Sequence, residues 1–176
     1  MNVDGPLSKL IMKKETLFDL PAFHCPTGYR IRHFEPGDER NWEDLIRLSY
    51  TREVDFGQKI GTYSLLFPDR ILFLCRGEQP VATATAWQTD KADDSGWYLH
   101  MVGVLPEYSG KGLGFAITIA ALHKMREVGC ELAFLETDDF RLPAIRIYLK
   151  LGFQPVYKDE SHPARWERIV QLISQR

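Results

Sequence analysis

Residues 104–114 read Val104-Leu105-Pro106-Glu107-Tyr108-Ser109-Gly110-Lys111-Gly112-Leu113-Gly114. An apolar strand ends at Leu105, and three glycines follow at alternate positions. Leu113, Ile117, Ala120, Ala121 and Met125 then recur at helical spacing, and Gly129 supplies a stop. Glycines at the mouth of a helix leave main-chain N–H groups free to face an anion. The positive end of the helix adds to that attraction, which suits a pyrophosphate.

Spacing separates the common phosphate loops. A P-loop requires G-x-x-x-x-G-K-[ST], but Gly110-Lys111 is followed by Gly112, and position 105 is Leu. A dinucleotide fingerprint requires G-x-G-x-x-G or A. Gly110 and Gly112 fit it, but position 115 is Phe, which obstructs the close helix–strand contact.

A third pattern fits. The stretch resembles the coenzyme A-binding motif of the GCN5-related N-acetyltransferases (GNAT), V-x-P-x-x-R/Q-G-x-G-x-G/A. Val104-Leu105-Pro106 matches its opening and Gly110 to Gly114 its loop, while Ser109 stands where the family usually has Arg or Gln. Residues 137–153 are similar to the family's second block, N-x-x-A-x-x-x-Y-x-x-x-G-F, through Ala144, Tyr148, Gly152 and Phe153. Arg141 departs, taking the place of Asn. The resemblance runs from Tyr29 to Phe153, and the run Arg141-Leu142-Pro143-Ala144-Ile145 also resembles a subgroup related to mycothiol synthase.

Composition sets the frame. The chain has 176 residues, 44% hydrophobic and 26% charged, with a net charge of −2, as expected of one globular domain. That charge gives no reason to expect nucleic acid or a membrane as partner. Cys25, Cys75 and Cys130 form no C-x-x-C pair, which argues against a disulfide framework and against a metal site. Cys75 and Cys130 read as small packing residues. No stretch has the length of a membrane span, and Met1 to Lys9 lacks the apolar core of a signal peptide, so the cytoplasm is the expected location.

Residues 1–27 read as an N-terminal extension packed on the domain surface, with a short strand at Leu10-Ile11-Met12. Tyr29–Phe34 reads as the first strand of the domain at 28–176. Asp38 is a candidate N-cap for a helix whose face carries Trp42, Leu45, Ile46 and Ser49. A second helix is expected between Glu53 and Leu66. Strands are expected at 71–75, 81–88 and 97–105, with a polar loop at 89–96. After the helix at 113–128 come a strand at 131–137, a helix with Pro143 in its first turn, and a strand from Phe153. The family's last strand falls near 162–172. Here Pro163, Trp166, Ile169, Val170 and Ile173 predict a helix instead, with Ser161 as its cap. The order β-α-α-β-β-β-α-β-α-β plus a C-terminal helix predicts a mixed α/β sheet. The resemblance implies that its central strands, 97–105 and 131–137, splay apart around the cofactor.

The resemblance also implies an acyl-CoA N-acyltransferase, with acetyl-CoA as co-substrate and a small-molecule or peptide amine as acceptor. A non-catalytic acyl-CoA-binding module is the alternative, and a homodimer is left open. Cofactor contacts fall on Val102, Gly103, Val104, Ser109, Gly110, Lys111, Gly112, Leu113, Gly114, Phe115, Arg141, Ala144 and Tyr148. Strand amides around Val102–Val104 are placed to polarise the thioester carbonyl, and Gly103 inside the strand reads as a bulge. Tyr148 is the candidate general acid for the leaving thiolate. His100 and Glu136, with Asp138, are the candidate bases; alternation places His100 on one face with Val102 and Val104. Tyr50, Arg52, Glu53 and Asp55 are the expected polar groups of the acceptor pocket.

Overall fold

The structure, a computed structural model, describes residues 7–89 and 96–175, leaving out the side chains of Ser64 and Leu65. Most of the polar loop expected at 89–96 therefore lies outside the described residues.

Seven strands form one sheet: β1 (Leu10–Lys14), β2 (Arg30–His33), β3 (Ile71–Arg76), β4 (Gln79–Gln88), β5 (Trp97–Val104), β6 (Ala133–Thr137) and β7 (Gln154–Val156). The helices are α1 (Glu39–Tyr50), α2 (Phe56–Lys59), α3 (Gly61–Leu66), α4 (Leu113–Glu127), α5 (Leu142–Lys150) and α6 (His162–Ser174). The strand order is β2-β3-β4-β5-β6-β1-β7. None of these helices is long and apolar enough to cross a membrane.

The short strand expected in the N-terminal segment is part of the sheet and not an element laid on the surface. β1 is inserted between β6 and β7, antiparallel to both, with Met12 opposite Leu135 on one side and Pro155 on the other. Leu10 and Met12 are fully buried. Pro155 is tolerated because β7 is an edge strand. The segment where the family pattern would place its last strand is α6, the helix its apolar spacing predicts, with Trp166 and Ile169 inward. Arg165 of α6 bonds the Asp139 carboxylate at 2.5 and 2.9 Å and the Ser8 carbonyl at 2.9 Å. Lys9 pairs with Asp138. Both chain ends thus hold the 138–141 turn.

α1 and α4 cover opposite faces of the sheet. Gly103 faces α1, because a Cβ there would lie 3.0 Å from Leu45 Cδ2, Ile46 Cδ1 and Ser49 Oγ. The adjoining Val104 faces α4, with its Cγ2 3.6 Å from the place of a Cβ on Gly114. Trp42 anchors α1 edge-on to Phe56, which stacks on Phe34.

Three local expectations change. The bulge lies before Gly103: His100 pairs with Thr85 and Gly103 with Thr83, leaving Met101 and Val102 opposite Ala84. Met101 adopts a φ of 50°. The extra residue puts His100 on the face of Gly103, not that of Val104. The helix expected at 53–66 is two short pieces, broken at Ile60 just before Gly61, whose φ is 37°. Asp38 occupies the N-cap position of α1 as expected, but its carboxylate makes no capping bond and accepts from Arg32 and from the Glu35 amide instead. The capping aspartate is Asp55, which accepts from Gln58 N at 2.7 Å at the start of α2.

Candidate functional site

β5 and β6 run parallel but pair only once, at Tyr98 opposite Phe134. Those rings stack at 5.6 Å. Beyond that clasp the strands part toward their C-terminal ends, where α4 and α5 begin. Between them opens a cavity of about 720 Å³. Openings at the carboxyl ends of parallel strands are the usual ligand position in such sheets.

One wall is main chain. Gly110 and Gly112 both have φ of 77°, a conformation that L side chains rarely adopt, and a Cβ on either would meet nothing within 4 Å. Gly112 caps α4 with no side-chain hydrogen bond, so the first amides of a 15-residue helix lack intrahelical partners. Gly114 does a different job. A Cβ there would lie 3.1 Å from Ile147 Cδ1, so glycine lets α5 approach α4. Ser109 and Phe115 complete this wall. Lys150 also lines it, its ammonium 4.9 Å from the Phe115 ring. Lys111 does not line the cavity; its ammonium lies 4.7 Å from the Tyr108 ring. The Thr118 hydroxyl, one turn into α4, is buried at the cavity with no partner among the described residues.

The opposite end is built by α1, β5 and α5. Tyr50 donates to the Val102 carbonyl at 3.0 Å, and Ser49 donates to the Val104 carbonyl at 2.9 Å. These bonds tie the end of α1 to the bulged strand. Thr51, at a φ of 51°, follows as the left-handed cap of α1. Thr51 and Met101 are the non-glycine residues with positive φ among the described residues, and both flank this end. Arg141 reaches in from the start of α5, its guanidinium carbon 3.5 Å from the Tyr50 ring centre. Tyr148, one helical turn beyond Ala144, is buried at 6% exposure and lines the cavity. Its hydroxyl has no hydrogen-bond partner among the described residues. Burial pushes the Tyr148 phenol well above the ordinary tyrosine range, the Tyr50 phenol adds to that, and Arg141 opposes it. Burial raises Tyr50 in the same way.

The structure therefore brings together Val102, Gly103, Val104, Ser109, Gly110, Gly112, Leu113, Gly114, Phe115, Arg141, Ala144 and Tyr148 around one cavity. It does not bring His100 or Glu136 there. His100 packs on Trp87, ring centres 5.1 Å apart; burial, with the Lys59 charge, pulls its pKa down to about 4. Glu136 is exposed, opposite Ile11 of β1. Asp138 touches the site only through Arg141 Nε, at 3.4 Å. No Asp, Glu or His lines the cavity among the described residues. Sequence reasoning missed Ser49, Thr51, Thr118 and Lys150. Thr118 lies one turn after Gly114, and Lys150 two turns after Pro143, so helical spacing carried a signal for both.

Fold and site together define a class: single-sheet α/β proteins with a cavity opened between two parted parallel strands. The chain belongs to the acetyltransferase (GNAT) family, whose model matches residues 32–153. It is similar to a mycothiol acetyltransferase of Thermobispora bispora, with 31% identity over 81% of this chain and 52% of that one. A mycothiol acetyltransferase of Actinosynnema mirum is 34% identical over 92% of this chain and 53% of its own length. The chain thus spans about half the length of the curated relatives it matches. Among solved structures, a GCN5-related N-acetyltransferase from Sphaerobacter thermophilus superposes with a TM-score of 0.63 at 22% identity, covering 84% of this chain and 48% of that one.

Proposed function

We propose that the protein is an N-acyltransferase of the cytoplasm that moves an acetyl group from acetyl-CoA directly to an amine held in the same cavity. We count β1 within the acyltransferase unit, since the sheet is continuous through it. The carrying observation is the arrangement along the cavity: a main-chain anion cradle at Gly110–Phe115 at one end, a protonated and unpartnered Tyr148 toward the other. The donors fit an acyl-CoA. Unpaired amides and Lys150 suit its diphosphate, and the buried Thr118 hydroxyl needs a partner that a polar ligand would supply.

The chemistry assigned to this chain is positional and electrostatic. The register of β5 against β4 shifts at Met101–Val102, and the role assigned to the strand amides from Val102 onward, which line the cavity, is to donate to the thioester oxygen as charge grows there. The amine nitrogen bonds the acyl carbon, and the carbon–sulfur bond breaks. Tyr148 gives its proton to the leaving thiolate, and the proton released by the amine passes to water at the mouth, from which Tyr148 is replenished. Acetyl-CoA with a broad panel of primary amines, followed by release of free thiol, tests the reading. Binding of CoA that raises Tm without turnover of any amine supports the second reading, a non-catalytic acyl-CoA-binding module. What favours that second reading is the lack of a carboxylate or imidazole base in the cavity wall among the described residues.

A further inference from the structure

We propose that the acceptor amine carries a carboxylate, received by Arg141 with Arg52 reinforcing it from the rim. The proposal rests on the acyl-transfer reading above and names the substrate class of that same site. Arg141 lines the cavity on the Tyr148 side, and its side chain is 18% exposed. The one hydrogen bond of its side chain among the described residues is from Nε to Asp138, at 3.4 Å. The two terminal nitrogens, the planar fork that matches a carboxylate, have no protein partner there. Asp138 does not cancel the charge, because it is also paired with Lys9.

A second cation stands near. The Arg52 guanidinium carbon is 5.4 Å from the ring centre of Tyr50, the ring that Arg141 also covers. It has no ion pair among the described residues. The left-handed Thr51 between them turns Arg52 back over that ring. A β-branched residue in that conformation is strained, and such strain collects at ligand sites. No acidic side chain lines the cavity to balance either cation among the described residues. The thioester carrier does not balance them either. On the reading above its diphosphate sits on the cradle, its remaining phosphate is on the nucleoside beyond that, and the arm that reaches toward Tyr148 is uncharged. An unbalanced guanidinium at the reacting end is therefore left for the acceptor.

The test is a ratio. Several amino acids are each assayed beside their carboxamides with acetyl-CoA and the whole protein, and kcat/KM is compared within each pair. The expected preference for the carboxylate is roughly tenfold or more, the effect of one charge-assisted hydrogen-bonded pair. Arg141→Gln should collapse that ratio toward one, Arg141→Lys should restore part of it, and the exposed Arg52→Gln should lower it less. Losses common to both partners of a pair cancel, so damage to folding or to acetyl-CoA binding does not imitate the effect. Turnover of both forms at equal kcat/KM overturns the proposal and leaves N-acyl transfer standing. An Arg141→Gln enzyme with a raised KM for acetyl-CoA and an unchanged ratio overturns it too, assigning the guanidinium to the carrier. Turnover of no amine at all, by a folded protein, overturns both readings.

Discussion

The Tyr50 hydroxyl donates a 3.0 Å hydrogen bond to the carbonyl of Val102, the second of the two bulge residues in β5. One phenol thereby fixes a strand segment that lines the cavity. Tyr50→Phe leaves that carbonyl without its partner and should lower unfolding free energy by about 1–3 kcal/mol, read by denaturant melts. Turnover should fall as well, because the strand amides lose their fixed direction. Unchanged stability would mean that water replaces the phenol.

Tyr148→Phe should behave differently. Its hydroxyl holds up no other group, so stability should stay within about 0.5 kcal/mol of the parent. Turnover should fall roughly 100-fold or more, the usual scale for losing a general acid, with little change in CoA affinity by calorimetry. Because burial holds the Tyr148 proton well above the ordinary tyrosine range, this phenol should impose no basic limb on the rate profile below about pH 10. A parent enzyme whose rate falls with a midpoint near pH 8, a fall absent in Tyr148→Phe, would contradict that placement.

Gly103→Ala tests the contact between α1 and β5. The added methyl would meet three side-chain atoms at 3.0 Å, and one of them, Ser49 Oγ, is hydrogen-bonded to the strand itself. Overpacking of this kind costs about 1–3 kcal/mol, measurable as a lower Tm. Gly110→Ala meets no atoms within 4 Å, so its cost is confined to the backbone at φ 77°.

His100 makes stability depend on pH. Its folded pKa of about 4 lies below the ordinary histidine value, so between about pH 6.5 and 4 the unfolded chain binds the extra proton. Stability from this group is therefore complete at neutral pH and is lost as pH falls through that window, on the order of 1–3 kcal/mol. His100→Gln should flatten that part of the curve. An unaltered acid slope in the variant would show that other groups dominate.

Removal of residues 1–15 should abolish folding rather than trim a surface extension. It would bare the facing edges of β6 and β7 and take Leu10 and Met12 out of the core. Circular dichroism and proteolysis of the truncated chain decide this. A truncated protein that melts cooperatively near the parent Tm would restore the reading of 1–27 as an extension packed on the domain surface.

Local signals read correctly where chemistry is local. Gly110 and Gly112 need left-handed backbone, Gly129 and Gly152 stop helices, and the apolar spacing of Trp166 and Ile169 makes α6. What stayed hidden depends on pairing across the sheet. Leu10-Ile11-Met12 is plainly a strand, but nothing in three apolar residues says that its neighbours are Leu135 and Pro155. The bulge was expected at the glycine because glycine is permissive, whereas packing against Leu45 and Ile46 is what excludes a side chain at Gly103. The one-residue shift at Met101–Val102 then reversed the face assigned to His100, since strand side chains alternate with a period of two. Tyr50 was legible as a site residue from its place at the end of α1. For Thr118 and Lys150 the spacing from Gly114 and Pro143 carried the helix face, but not which turn of that face meets the cavity.

The seating of β1 also constrains how the chain folds during synthesis. This strand leaves the ribosome long before the segments that flank it, and until they arrive it has an unpaired edge on each side. Pairings so distant in sequence form late and slowly. A helper that shields Leu10 and Met12 in the nascent chain should therefore raise the yield of native protein more than one acting on the finished polypeptide.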